Sequence, residues 1–187
     1  MRRVMVIGGS GSGKSTVARK IGEGLGVPVV HMDSLFWESG WVEAEEHVFL
    51  ERVAAAVATD AWVMDGNYSR TWPDRLKRAD TVIFLDVPGW KRVCRVLWRS
   101  LSGLGRTRSD LAEGCPEKID LSFIFGWVLQ YRRIGRPKAL SLMAPDGPAA
   151  GLKRYHLRRS NEVDALLRNL EANADLPRGR ERATSNG

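Results

Sequence analysis

The chain has 187 residues and a mass of 20.9 kDa, with 43% hydrophobic residues and a formal charge of +7 from 29 Lys and Arg against 22 Asp and Glu. That length suits one domain with a full core and is short for two, and no run of about 18 uncharged apolar residues offers a membrane span. The positive surplus calls for an anionic partner: nucleic acid, a membrane surface or a phosphorylated ligand.

Behind Met1-Arg2-Arg3 the apolar stretch Val4–Ile7 is too short for the core of a signal peptide. Cys94 and Cys115 share no Cys-x-x-Cys or Cys/His spacing, so neither a disulfide framework nor a zinc site is expected. A cytoplasmic protein is the expectation. The seven tryptophans are scattered and are expected in the core or lining a pocket.

Val4–Ile7 is a continuous, partly β-branched apolar run, as in a strand buried on both faces of a parallel sheet. A glycine-rich turn follows, and from Lys14 the apolar residues Val17, Ala18, Ile21 and Leu25 fall at helical spacing until Gly26 and Pro28 stop them. Further strands are predicted over Val27–Met32, Ala61–Met64, Thr81–Leu85 and Lys153–Leu157. Helices are predicted over Glu43–Thr59, Trp90–Leu101, Ile119–Arg133 and Asn161–Leu170, the last with Ser160 as its N-cap. This alternation implies right-handed crossovers and a five-stranded parallel sheet with helices on both faces. Ligands then bind beyond the carboxyl ends of the strands, where Gly8 to Ser15, Asp33, Asp65 to Tyr68, and Asp86 stand. The segment from Asp175 onward is polar and is expected to be disordered, within a tail of 173–187 beyond a domain of 1–172.

Gly8-Gly9-Ser10-Gly11-Ser12-Gly13-Lys14-Ser15-Thr16 fits G-x-x-x-x-G-K-[ST] between a strand and a helix, the context such a loop needs. Glycines let backbone N–H groups turn toward phosphate oxygens where a Cβ would obstruct them. The helix that follows aims its positive end at the same anion. Lys14 is placed to reach the β and γ phosphates, and the Ser15 hydroxyl to complete the coordination of Mg²⁺. All nine residues are thus candidate ligands of ATP.

On these residues the chain resembles the P-loop nucleoside and nucleotide kinases, from Met1 to about Leu170. Asp65-Gly66-Asn67-Tyr68 and Phe84-Leu85-Asp86-Val87-Pro88 are similar to the endings of the third and fourth strands of adenylate kinase, and Arg95 and Arg99 match a pair of arginines that leads into that family's lid. More narrowly, His31–Trp37, Asp65–Tyr68 and Gly105–Glu117 resemble the adenylate kinase-related group labelled "DNA topology modulation protein", or FlaR-like, a label that names a phenotype and no reaction. The resemblance implies a three-layer P-loop NTPase fold with a mobile, arginine-rich lid over approximately 102–118. It also implies ATP and Mg²⁺ as cofactors and transfer of the γ-phosphoryl group to a small acceptor.

The same resemblance makes Asp65 the acid that holds Mg²⁺ through water, although Asp86 also ends a hydrophobic strand and competes by pattern. Asp33 is the candidate base toward the acceptor, against a metal-orienting or capping role. His31 precedes it by two, and the two are expected on one side of an extended strand. Asp65, Asn67, Tyr68 and Arg75 join Asp33 as expected acceptor contacts. Asn67 and Tyr68 stand where a nucleoside monophosphate binder has Pro-Arg, which counts against such an acceptor. Trp37, Trp41, Tyr68 and Trp72 are either pocket wall or core.

The Trp90–Leu101 helix divides into an apolar face of Trp90, Val93, Cys94, Leu97 and Leu101 and a basic stripe of Lys91, Arg92, Arg95 and Arg99. A solvated stripe is the ordinary reading. Yet Val87 to Ser109 holds basic residues and no acidic one, which favours arginines that stabilise a transferring phosphoryl group. Arg99, Arg106 and Arg108 are the candidates, with Arg95 on the nucleotide, and Gly103 and Gly105 as hinges. Arg132, Arg133 and Arg136 form a second cluster, either reaching the phosphates or solvated. The expected protein is a phosphotransferase; a nucleic-acid-binding ATPase or regulator is the alternative.

Overall fold

The computed structural model describes residues 1–103, 105, 110–116, 126 and 128–174. Seven strands and seven α-helices occur among them. In chain order they are β1 Arg3–Gly8, α1 Lys14–Leu25, β2 Val29–His31, α2 Met32–Phe36, β3 Trp37–Glu38, β4 Val42–Glu43, α3 Glu46–Ala58 and β5 Trp62–Asp65. Then come α4 Trp72–Arg78, β6 Thr81–Leu85, α5 Gly89–Ser102, α6 Gly135–Met143, β7 Lys153–Leu157 and α7 Ser160–Ala174. Strands β2-β5-β1-β6-β7 form one sheet, in that order and wholly parallel.

Alternation along β1 sends side chains to two cores. Met5 and Ile7 join Phe49, Val53 and Val57 of α3 and Ala139 and Leu142 of α6 on one face. Val4 and Val6 join Val17, Ala18 and Ile21 of α1 and Leu166 and Leu167 of α7 on the other. Every apolar residue of β1 is therefore buried, as its unbroken apolar sequence requires. The expected α/β architecture, a five-stranded parallel sheet with helices on both faces, is present.

The remaining differences are local. The second strand is shorter than Val27–Met32 because Met32 opens a helix, and Asp33 therefore sits on α2, not on an extended strand beside His31. Helix α3 begins at Glu46, after a two-stranded hairpin of β3 and β4 that periodicity over so few residues does not reveal. Helices α4 and α6 were also not expected; both are short, and their starts hold Pro73 and Pro137, which read as breaks. The predicted helix Ile119–Arg133 falls mostly outside the described residues, and its described end, Gln130–Arg132, is a 3₁₀ turn. Positions 104, 106–109, 117 and 118 of the expected lid, Arg106 and Arg108 among them, lie outside the described residues too, as does 175–187. Ser160 is the first residue of α7 and not its cap; the Glu162 carboxylate accepts from the backbone N–H groups of Arg158 at 2.6 Å and Arg159 at 3.2 Å instead.

Helix α5 follows its apolar pattern only in part, with Val93 and Leu97 half-buried against Val96 and Val128. Trp90 and Trp98 are 67% and 73% exposed and Leu101 is exposed as well, whereas Arg92, Val96 and Ser100 are buried. Of the basic stripe, Arg92 is buried and Arg99 half-buried, while Lys91 and Arg95 are exposed.

Candidate functional site

Strand β1 lies between β5 and β6, and the chain leaves it toward β2 on one side before crossing to β6 on the other. Such a reversal opens a crevice beyond the carboxyl end of the strand. The segment 8–16 enters that crevice directly from β1.

Its turn is closed by Ser12 N–H to the Gly9 carbonyl at 3.0 Å, and the helix then starts from Gly13, whose φ of 95° is left-handed. Helix α1 has no side-chain N-cap and no acidic residue in its first turn. The positive end of a twelve-residue helix thus opens onto the loop with no carboxylate of its own against it. Lys14 arches back, donating from Nζ to the Gly9 carbonyl at 3.3 Å. Ser10, Ser15 and Thr16 belong to the same loop and first helical turn.

The loop glycines are demanded from the side of α5. A Cβ on Gly9 would collide with the Arg92 guanidinium and the Tyr131 ring. A Cβ on Gly11, whose φ is +77°, would strike the Arg92 carbonyl oxygen. These two glycines therefore make room for a protein side chain as well as for any ligand. From the same helix Arg95 donates to the Ser12 carbonyl at 3.3 Å. Arg99 follows one turn on and is half-buried.

Beside the loop stands the end of β5. Asp65 pairs in register with Val6 of β1 and with His31 of β2, and His31 Nδ1 lies 2.5 Å from Asp65 Oδ1. Burial pulls the His31 pKa down, but the hydrogen bond and negative charge of Asp65 outweigh it and hold the imidazole above its ordinary value. His31 is thus a satisfied histidine, with Asp65 as its partner. Two residues on, Asp33 accepts the Tyr68 phenol hydrogen at 2.8 Å. Burial first, then the charge and hydrogen bond of Asp33, push the Tyr68 phenol far up, so it stays a donor at any physiological pH.

Asn67 and Arg75 are placed differently from the expectation that they touch the acceptor. Asn67 clamps the root of the loop: its Oδ1 accepts from Gly8 N–H at 3.0 Å and its Nδ2 donates to the Gly8 carbonyl at 2.8 Å. Arg75 is fully buried beneath the turn, donating to the carbonyls of Gly66 at 3.0 Å and of Met64 and Asn67 at 3.4 Å each. Burial lowers its pKa to about 10, against the opposing charge of Asp65, so it remains a cation at neutral pH. Trp72 adds a hydrogen bond from Nε1 to the Asn67 carbonyl at 2.5 Å. A residue-type reading cannot tell a cation held by backbone carbonyls from one aimed at a substrate.

Asp86, the competitor for the metal, is fully engaged. It accepts two bonds from Arg136, each at 2.8 Å, and one from His156 at 3.0 Å. Burial opposes its ionisation, but the Arg136 and His156 hydrogen bonds prevail and keep its pKa below the ordinary carboxylate range. Arg136 thereby acquires a role among the post-lid arginines: it braces the end of β6. His156, stacked on Phe84 with ring centroids 4.9 Å apart, is part of this network and carried no sequence signal, because nothing local announces which strand lies beside β6.

On the far side of Asp33, Phe36, Phe49 and Tyr68 pack with centroids 5.1 to 5.2 Å apart, and the Arg70 guanidinium covers Phe36 and Phe49. Trp37 and Trp41 continue this aromatic surface along the hairpin, and Trp41 Nε1 donates to the Pro116 carbonyl at 2.9 Å. The hairpin therefore touches the described end of the segment expected to be a lid.

Among the described residues no cluster of three or more His, Cys, Asp or Glu could hold a metal ion by itself. Mg²⁺ does not require one, because it keeps several waters and is held through one or two protein oxygens plus phosphate. Ser15 and Asp65, both at the loop, fit that donor set. No helix among the described residues is long and apolar enough to cross a membrane. No protein-family model matches the chain, and no curated protein does. Among solved structures, it is similar at a TM-score of 0.48 and 13% identity to one described as an uncharacterized protein from Eubacterium ventriosum, over 92% of this chain and 98% of that one.

Proposed function

We propose that the chain is an ATP- and Mg²⁺-dependent phosphotransferase of the P-loop kinase type, moving the γ-phosphoryl group to a small hydroxyl- or phosphate-bearing acceptor. The observation that carries this reading is the uncapped start of α1, opening onto a glycine-rich loop in the crevice beyond β1, with Lys14 arched over it and Arg95 of α5 donating to the loop's Ser12 carbonyl.

In this reading the loop and Lys14 hold the phosphates, and Ser15 and Asp65 hold Mg²⁺, which supplies charge neutralisation on the β and γ oxygens. His31 fixes the Asp65 carboxylate. Asp33, oriented by the Tyr68 hydroxyl, takes the proton of an acceptor hydroxyl. Tyr68, Trp37 and Trp41 border the acceptor. Arg95 and Arg99 face the phosphates, and Arg106 and Arg108 are assigned to the closing segment by the resemblance alone. Asn67 and Arg75 support the site and do not touch the acceptor.

The test is ADP formation from ATP and Mg²⁺ across nucleosides, nucleotides, sugars and amino sugars. One acceptor class should raise turnover above basal hydrolysis. Lys14→Ala should lower that turnover on the order of 10²-fold or more. Asp33→Asn should abolish transfer while ATP still binds. Absence of any acceptor response would defeat the reading. A nucleic-acid-dependent ATPase is the second reading, favoured by exposed Trp90 and Trp98 beside Lys91 on the outer side of α5. It requires DNA or RNA to stimulate hydrolysis, with binding that weakens steeply as salt rises.

A further inference from the structure

Three side chains gathered around the root of the loop lack what their chemistry requires. Arg92 is 2% exposed, and neither its Nε nor its Nη1 has a hydrogen-bond partner. Tyr131 is 8% exposed, and its hydroxyl has none. The Ser12 hydroxyl, in a residue 4% exposed, has none either. Their place is marked by the glycines they crowd: Arg92 Nη1 and Tyr131 Cδ1 occupy the space a Gly9 Cβ would need, and the Ser12 hydroxyl lies 2.8 Å from where a Gly8 Cβ would stand.

The common deficit is an acceptor. Guanidinium N–H groups only donate, and both hydroxyls have a hydrogen to give. Tyr131 supplies a ring face to the guanidinium, with Arg92 Cζ 4.8 Å from its centroid, but a ring face does not replace an oxygen acceptor. Asp86 is the acid whose charge reaches Arg92, and its oxygens are already engaged by Arg136 and His156. A buried cation with unsatisfied donors and no acid of its own is unfavourable unless an anion completes it.

We propose that Arg92, Tyr131 and Ser12 form a phosphoryl-binding subsite on the α5 side of the loop, with the Arg92 guanidinium and the two hydroxyls donating to the oxygens of a phosphoryl group held there. The proposal deepens the phosphotransferase reading and rests on it. It also explains why a helix with exposed tryptophans turns an arginine inward. The planar fork of Arg92 is pre-set by the Tyr131 ring, so donors meet the anion without reorganisation.

The probe is inorganic tripolyphosphate, which carries the phosphate chain without base or sugar, titrated calorimetrically into the wild-type chain, Arg92→Gln, Tyr131→Phe and Lys14→Ala, with melting temperatures recorded in parallel. Arg92→Gln should weaken tripolyphosphate by about tenfold or more and Tyr131→Phe by a smaller factor, since charged donors outweigh neutral ones. Both should keep the ligand-free melting temperature. Arg92→Lys retains the charge without the fork and should fall between wild type and Arg92→Gln, which preserves the test if the glutamine variant does not fold. Unchanged affinity in Arg92→Gln, or in Arg92→Lys and Tyr131→Phe together, overturns the subsite. If Lys14→Ala alone loses the ligand, the loop reading survives and the subsite does not. If the wild type takes up no tripolyphosphate, both fall.

Discussion

Arg75 and Arg92 are both buried arginines within a few residues of the same loop, and their surroundings differ in kind. Arg75 lies under the β5 turn with both terminal nitrogens donating to backbone carbonyls, which leaves Nε without an acceptor. Arg92 lies under α5 against Gly9, with a ring face and two donors left over. The first is architecture: it fixes the turn that carries Asp65 and Asn67. The second leaves buried donors without an acceptor beside the glycine-rich loop. Charge, residue type and burial are shared; the acceptor inventory separates them.

The strongest way to break this comparison is to remove Arg75. Arg75→Ala removes donors from the Gly66, Met64 and Asn67 carbonyls, of which that of Asn67 keeps Trp72, and should cost about 3 kcal/mol of stability, read by denaturant unfolding. A loss like that of Arg92→Gln would mean that the carbonyl bonds do not distinguish the two. Asp86 offers an intermediate case, an acid already satisfied by Arg136 and His156. Its pKa is depressed in the folded chain, so its contribution is fully present above the ordinary value of 3.8 and is lost as pH falls through the lower folded value. Asp86→Asn should cost about 2 kcal/mol near neutrality and flatten the acid limb of a stability-pH curve. An unchanged acid limb would contradict the network. Asn67→Ala, which leaves Gly8 N–H and C=O unpaired, should be the mildest at about 1–2 kcal/mol. Its effect should concentrate in ATP affinity if the clamp sets the loop's shape, and a pure stability loss would reduce Asn67 to packing.

The centre of the sheet was legible because β1 and β6 carry the apolar runs Val4–Ile7 and Val82–Leu85, which need burial on both faces, and the loop between β1 and α1 follows from its own spacing. Helices α2, α4 and α6 were not, being five, seven and nine residues long with no sustained period. At the site, loop residues and Asp65 could be located from local pattern. The partners that give them meaning, His31 on Asp65, Tyr68 on Asp33 and Asn67 on Gly8, cross 34, 35 and 59 residues of chain. The burial of Arg92 went against the pattern of α5 because the surface that receives it includes Gly9, which has no side chain to announce it.

The most direct measurement is a calorimetric titration of Mg·ATP into the intact chain. The account predicts saturable binding at one site, weakened by Lys14→Ala through lost phosphate contacts. Absence of saturable binding, or identical binding by the Lys14→Ala variant, would contradict the assignment of the glycine-rich loop as the phosphate site.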